Sequence, residues 1–398
     1  MTSLNQLAGS LEAQAPRVVA LAGSPHQMGL RHGQVLAPEI RFLAQQVRPY
    51  IFARVGAVRG MGLRILARTF ALAMNRHIPA RLREEMEGIA RGSGVPYYEI
   101  LLLNTLDDVL NVLRRLAPRS PDVGCSSFVL FGSRSHDGTL MHGRNLDYHF
   151  RGTPLDDGGA VARLLHRHAV LFAYRPWGLI PFVAVAWPGV CGVTTAMNQE
   201  GLSLGNLTSY VRGTSPDGMP TALLYRTIME QASSLSEVGA MLRRAPRTVG
   251  NNLLVGSGRE SSAALFEITR DSVQEVPPVD GLLVATNHFL SPGLAQRQRP
   301  FLPAHSVDRW KRLHALCDRH GITVRDALGF LGDVGTVYGE TAGHPFARVA
   351  NEGTAVSVLF EPARRRMWVA VGQGPPASRG EFREVDVGAL LATPSDEG

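Results

Sequence analysis

The window from Gly124 to Asp147 concentrates residue types that do covalent chemistry: a thiol at Cys125, a guanidinium at Arg144 and a carboxylate at Asp147. Two apolar runs flank Asp137-Gly138, and an Asp-Gly pair in that setting predicts a β-hairpin. With the turn centred there, paired residues sum to about 275 and Asp147 stands opposite Phe128. At roughly 3.3 Å per strand residue, Arg144 and Asp147 return to the end of the hairpin where Cys125 begins. A thiolate beside a cation is a nucleophile. A cysteine at a strand start is also commonly just a small buried hydrophobe. A catalytic thiol needs a base as well. His136 belongs to the turn, far from Cys125, and His142 and His149 read as lying on the outer face.

The remaining motifs are weaker. His166-x-His168 has no carboxylate or cysteine at ligand spacing, and no HExxH occurs, so no metal site is expected and the pair reads as surface. Gly372-Gln-Gly374-Pro-Pro-Ala spells GxGxxA, but its prolines remove the donors a pyrophosphate needs. No GxSxG elbow is present. The single lysine, Lys311, is not in GxxxxGK[ST], so there is no P-loop, and its charged helix-like surroundings do not suit a Schiff base.

The elements that must position these groups change character near residue 120. Before it, apolar residues recur at helical spacing over 26–47, 63–92 and 97–116. Ala117-Pro118-Arg119-Ser120-Pro121 then reads as a loop. Period-two strands follow over 126–132, 139–146, 180–187, 190–197, 202–207, 252–256, 262–268, 272–276, 282–285, 355–361 and 366–372. Helices are expected at 221–232, 235–244, 306–319 and 324–331, the second opened by the capping box Ser234-Leu-Ser-Glu237. A polar tail closes the chain. The class is α+β, helices layered on antiparallel sheets.

Composition narrows the class of partner. The 398 residues are 44% hydrophobic and 19% charged, which describes a folded chain. Its charge of +7 comes from 41 basic residues of which 40 are arginine, scattered rather than striped, so nucleic acid is not the expected partner. Three distant cysteines, Cys125, Cys191 and Cys317, build no disulfide framework and suit a reducing compartment. The first twenty residues lack a signal-peptide pattern, and the longest uncharged stretch, 176–199, is broken by three prolines. A cytoplasmic protein without membrane contact is expected.

Taken together, these segments resemble the acyl-coenzyme A:6-aminopenicillanate (isopenicillin N) acyltransferase-like family of self-cleaving N-terminal-nucleophile cysteine hydrolases, in the choloylglycine hydrolase branch. Gly124-Cys125 resembles the family's cleavage site and Val18 to Ile40 its opening segment. Trp187-Pro-Gly with Met197-Asn-Gln-Glu-Gly201 resembles its central hairpin, and Thr286-Asn287-His288-Phe289 a later signature. Ser306-Val-Asp-Arg309-Trp310 resembles a helix start. The ordered set is specific where each piece alone is not. Ser126 departs from the threonine common in relatives.

The resemblance implies a four-layer αββα sandwich with an N-terminal helical pro-segment. Residues 1–124 would become the small subunit and 125–398 the catalytic one, the two remaining associated. Cys125, freed by cleavage after Gly124, would use its own α-amino group as base. Arg144 would lower the thiol pKa, Asp147 hold the ammonium or the incoming amine, and Asn287 donate its amide to the oxyanion. Asn206 would be a second oxyanion asparagine and Arg309 a substrate-side arginine. The implied activity is amide hydrolysis or acyl transfer through a thioester, with no cofactor and with acyl-coenzyme A as a possible substrate. Alternatives are a bile-salt or penicillin-type acylase and an uncleaved relative that binds an acylated ligand. A homo-oligomer is compatible.

Overall fold

The computed structural model describes residues 16–53, 57–113, 122–149, 160–298, 304–335, 347–372 and 374–392. Pro118 and Pro121 lie outside these. The front of the chain forms β1 (Val18–Gly23), α1 (Pro25–Val35), α2 (Ala37–Ala53), α3 (Ala57–Asn75), α4 (Ala80–Ser93) and α5 (Tyr97–Leu113). The hairpin strands are β2 (Asp122–Gly132) and β3 (Gly138–His149). Next come α6 (Ala160–Arg167), β4 (Val170–Pro176), β5 (Phe182–Ala186), β6 (Thr195–Asn198) and β7 (Leu202–Thr208). They lead into α7 (Thr221–Gln231), α8 (Leu235–Arg244), β8 (Asn251–Ser257), β9 (Ser262–Ile268), β10 (Val273–Val276) and β11 (Leu282–Ala285). The last elements are α9 (Pro292–Gln298), α10 (Ala304–Cys317), α11 (Val324–Leu331), β12 (Thr354–Glu361), β13 (Arg366–Val371), β14 (Glu381–Asp386) and α12 (Val387–Ala392).

The protein is a mixed α+β structure with two sheets. One has the order β1-β4-β5-β6-β7-β8-β9-β10, the other β11-β2-β3-β12-β13-β14. Strand alternation gives each sheet two buried faces. Cys125, Val129, Leu146 and Val358 of the six-stranded sheet meet Val183, Met197, Leu207 and Leu254 of the eight-stranded one in a single core. The other face of the eight-stranded sheet buries Phe172, Phe182, Leu204 and Phe266 with Leu36, Met86, Ile100 and Leu223 from the helices. Phe128, Leu130 and Leu359 pack with Leu313, Phe330 and Leu331 of α10 and α11. Full burial of such a side chain contributes roughly 1.5–3 kcal/mol.

Several elements differ from the sequence reading. The long helical pattern over 26–47 is two helices, α1 and α2, and the pattern over 63–92 is likewise split between α3 and α4. The apolar run Val-Val-Ala-Leu-Ala-Gly is β1, the parallel neighbour of β4 at the sheet edge. Both strands were missed, since an unalternating apolar run carries no period. The supposed polar tail holds β14 and α12, because Phe382, Val385 and Leu391 pack inward among otherwise charged strand residues.

Two devices fix the N-terminal helices against the rest. Gly29 and Gly33 of α1 meet Gly88 and Gly92 of α4 so closely that a Cβ at Gly29 would sit 2.0 Å from the Glu85 carbonyl oxygen. The helices therefore touch backbone to backbone. Beneath them Arg226 of α7, fully buried, donates to Glu85 at 2.9 Å and Glu230 at 2.7 Å and lies 3.9 Å over the Tyr174 ring. Burial pushes Glu85 up to about 7, with Arg226 opposing. Removing one member of such a pair typically costs about 3–5 kcal/mol.

His142 points between the sheets, not outward as the sequence suggested. Two residues from Arg144 on the same strand, it shares the Arg144 face. Its Nδ1 lies 2.8 Å from Ser203 Oγ and its Nε2 3.0 Å from Ser127 Oγ, tying β3 to both sheets. Each serine hydroxyl also has a carbonyl within reach, Gly256 for Ser203 at 3.3 Å and Gly143 for Ser127 at 2.8 Å. Burial, helped by Arg144, lowers His142 to about 3, so it is neutral in the folded protein. His142→Ala should cost about 2–4 kcal/mol at pH 7 in chemical unfolding. That cost should shrink as pH falls from 6.5 toward 3, because only the unfolded chain takes up the proton over that window. A cost independent of pH would contradict the neutral, hydrogen-bonded ring.

Candidate active site

The hairpin register decides which groups meet. Observed partners sum to 271 rather than 275, with Phe128 opposite Gly143, Cys125 opposite Leu146 and Gly124 opposite Asp147. The difference arises at the turn. Gly132 and Gly138 pair with each other at left-handed φ of 63° and 78°, and a bulge separates Leu130 from Gly132. The loop is thus longer than an Asp-Gly two-residue turn. The shift moves Asp147 from Phe128 to the residue preceding the nucleophile candidate. Gly124 itself is extended strand and carries no left-handed strain.

Alternation then divides the groups between two faces of the six-stranded sheet. Cys125, fully buried, points with Arg144 and Leu146 toward the eight-stranded sheet. Arg144 is held there by Thr195 Oγ1 at 2.7 Å and by the Asn206 carbonyl, and its Nη2 lies 4.0 Å from Cys125 Sγ. Gly205 makes room for it, since a Cβ would stand 3.0 Å from Arg144 Cδ. On the opposite face Asp147 accepts from Asn351 Nδ2 at 2.9 Å and Thr354 Oγ1 at 2.8 Å. Arg309 of α10 donates to the Cys125 carbonyl, to Ser126 Oγ at 2.9 Å and to Asn287 Oδ1 at 2.8 Å.

Asn287, just beyond β11, grips the backbone nitrogen of Cys125. Its Oδ1 accepts that N–H at 2.8 Å, while its Nδ2 donates to the Thr208 carbonyl at 2.8 Å. Two donors on one atom and a carbonyl at the other fix the amide orientation chemically. Thr208 takes one of the two Nδ2 hydrogens, and the other has no acceptor among the described residues. Ser306 Oγ, one turn before Arg309, accepts Asn287 N–H at 2.8 Å and lies 2.9 Å from His288 Nδ1. Burial lowers His288 to about 4, with Arg309 adding to the effect.

Electrostatically the site is dominated by desolvation. Burial raises the Cys125 thiol above its ordinary value, and Arg144 and Arg309 only partly offset this. The expected depression by Arg144 is present but smaller than the burial it opposes. Burial likewise raises Asp147 against Arg309 and lowers Arg144 and Arg309. The raised value keeps the sulfur a thiol rather than a thiolate.

Asn287, Arg309 and Arg144 therefore converge on the nitrogen, carbonyl and sulfur of Cys125, and Asp147 stands opposite Gly124 on the other face. Asn206 converges only through its carbonyl. Alternation on β7 places its side chain on the Leu204 face, opposite Gly205 and Arg144, and its Oδ1 has no hydrogen-bond partner among the described residues. Sequence reasoning missed Thr195, Ser306, Asn351 and Thr354. Ser306 had a signal, its helical spacing from Arg309; the others had none nearby. His166 and His168 are half-buried rather than surface groups, with His166 between the Ala355 and Gly372 carbonyls at 3.0 and 3.1 Å. Among the described residues no His, Cys, Asp or Glu cluster could hold a metal ion, and no helix is long and apolar enough to cross a membrane.

Comparison with known proteins gives the family of the chain. An uncharacterized protein of Archaeoglobus fulgidus is 26% identical over 309 residues, covering 68% of this chain and 50% of its own length. The N-acylethanolamine-hydrolyzing acid amidase of Caenorhabditis elegans is 23% identical over 252 residues, 61% of this chain and 62% of that protein. The acyl-coenzyme A:6-aminopenicillanic-acid-acyltransferase 40 kDa form of Emericella nidulans is 22% identical over 366 residues, 89% and 92% of the two. This chain thus spans about half the length of the first of them. The sequence model named acyl-coenzyme A:6-aminopenicillanic acid acyl-transferase matches residues 163–375, which take in Asn287 and Arg309 and begin after Cys125. With that match over more than half its length, the chain belongs to the acyl-coenzyme A:6-aminopenicillanic acid acyl-transferase family.

Proposed function

We propose that the protein is an amide hydrolase or acyltransferase that cuts itself before Cys125 and then uses that residue as an N-terminal nucleophile. One observation carries the reading: separate side chains hold the nitrogen, the carbonyl and the sulfur of Cys125. A buried structural cysteine needs none of these grips. In the first step Cys125 Sγ attacks the Gly124 carbonyl carbon. The carbon–nitrogen bond breaks, the leaving nitrogen takes the thiol proton to become a free amine, and water hydrolyses the resulting thioester to a Gly124 carboxylate and a free thiol. Residues 1–124 then form the small chain and 125–398 the large one, in a four-layer αββα arrangement.

In turnover the freed amine takes the thiol proton, since its ordinary pKa of about 8 lies close to that of a thiol. Asn287 Oδ1 keeps the amine beside the sulfur, and Arg144 favours the thiolate. Asp147, opposite Gly124, is placed to meet the new ammonium or the incoming amine. Acyl transfer to water gives hydrolysis, and transfer to an amine gives a new amide. The names of the relatives support both outcomes, an N-acylethanolamine amidase on one side and an acyl-coenzyme A acyltransferase on the other. A panel of N-acyl amides and acyl-coenzyme A esters, read by mass spectrometry, tests the proposal. A covalent acyl adduct on Cys125 is expected. Turnover that survives Cys125→Ala would overturn it.

A further inference from the structure

α5 carries two adjacent carboxylates with different occupations. Asp108 is fully used, accepting from Thr221 Oγ1 at 2.9 Å, Thr221 N–H at 3.2 Å and Thr248 Oγ1. It serves as the missing cap of α7, whose own N-cap, Pro220, makes no side-chain hydrogen bond. Asp107 has no such structural duty. Its Oδ2 accepts from Tyr148 Oη at 3.2 Å, and the half-buried carboxylate has no further hydrogen-bond or ion-pair partner among the described residues.

Tyr148 connects this carboxylate to the reacting centre. It lies two residues beyond Leu146, the cross-strand partner of Cys125, and so shares the face on which Cys125 and Arg144 point. A diagonal neighbour of this kind is within reach of an aromatic side chain. The Tyr148 ring is fixed edge-on against Trp187 with centroids 5.7 Å apart, and it is half-buried while the thiol is fully buried. The pair therefore stands on the more exposed side of Cys125.

Resting on the reading of Cys125 above, we infer that Asp107 and Tyr148 form the subsite for the amine half of the substrate, and that this half carries a hydrogen-bond donor, a hydroxyl or an ammonium. A carboxylate with an open oxygen accepts hydrogen bonds and makes no use of an alkyl group. In a simple N-acyl amide, donors beyond the scissile N–H occur only on the amine half. Burial, with Asp108 beside it, raises Asp107 to about 6, which marks it as a group short of compensating donors. Asp107 acts here as a binding residue supplied by the N-terminal segment, so the small chain would complete the site of the large one.

The test compares two amides of equal acyl length, an N-acylethanolamine and the N-acylpropylamine that replaces its hydroxyl by a methyl group. Their ratio of kcat/KM is measured in the wild-type protein, Asp107→Asn and Tyr148→Phe. The ratio of their dissociation constants is measured in uncut Cys125→Ala, with and without Asp107→Asn. The wild type should prefer the hydroxylated amide by about tenfold or more, and both substitutions should bring the ratio close to one. A merely structural role would weaken both amides equally. An unchanged ratio in Asp107→Asn, by either measurement, would overturn the subsite. Turnover persisting in Cys125→Ala would instead overturn the nucleophile, leaving the binding ratio as independent evidence on Asp107.

Discussion

Purified protein will consist of two chains, 124 residues before the cut and 274 beginning at Cys125, and Cys125→Ala will be one uncut chain of 398 residues without activity. The expected loss is complete, because the same sulfur performs the cleavage and the turnover. Arg309 on the Cys125 carbonyl and Asn287 on its nitrogen hold the residue after the scissile bond still, and Asp147 stands opposite Gly124. Gly124 adds no side chain to shield its carbonyl. Intact mass and N-terminal sequencing decide the matter. The two chains should co-purify, since β1 pairs with β4 and Glu85 with Arg226 across the cut. An active protein that remains one chain would show that the reading of Cys125 is wrong.

Asn287→Ala should slow acyl-enzyme formation by roughly 10²-fold, because the amine that must take the thiol proton loses its anchor and small misplacements of a reacting group cost that much. Its fold should persist, since Ser306 and Gln298 bond the backbone of Asn287 and remain in place. Asn287→Asp distinguishes anchoring of the amine from donation to an oxyanion. A carboxylate at Oδ1 favours the ammonium form, so the acid limb of the pH–rate profile should move to higher pH. It also sets an oxygen against the Thr208 carbonyl in place of Nδ2, and the rate at the optimum should fall. A profile unmoved in Asn287→Asp, with the rate lost in Asn287→Ala, would return Asn287 to the oxyanion role. An unchanged acylation rate in Asn287→Ala would remove it from the site.

Much of the site was legible in the chain because its parts lie in local pieces with strong periodic signals. Cys125, Arg144 and Asp147 share one hairpin, and an Asp-Gly between alternating apolar runs is enough to fold them back together. Asn287 and Arg309 were found through resemblance, since nothing in their local spacing points at a residue more than 160 positions away. The roles were less legible than the residues. Whether Asn287 offers its oxygen or its amide depends on Thr208 and Arg309, which the sequence does not bring near.

The sequence by itself determined the α+β class, the hairpin strands β2 and β3, most strands and helices from β5 to β13 apart from α9, the absence of a P-loop or α/β-hydrolase elbow, and the family. Short-range alternation and capping are encoded within a few residues, so they can be read without the fold. Tertiary structure alone decided the hairpin register, because a bulge and two left-handed glycines lengthen a turn whose Asp-Gly suggests a shorter one. It also decided the inward turn of His142, since which face of the hairpin is covered by the eight-stranded sheet depends on how the two sheets pack. The backbone contact of α1 with α4 and the reach of Asp107 to Tyr148 depend on a helix meeting another element far away in sequence. Such contacts are fixed by how whole faces pack, and no local pattern records them.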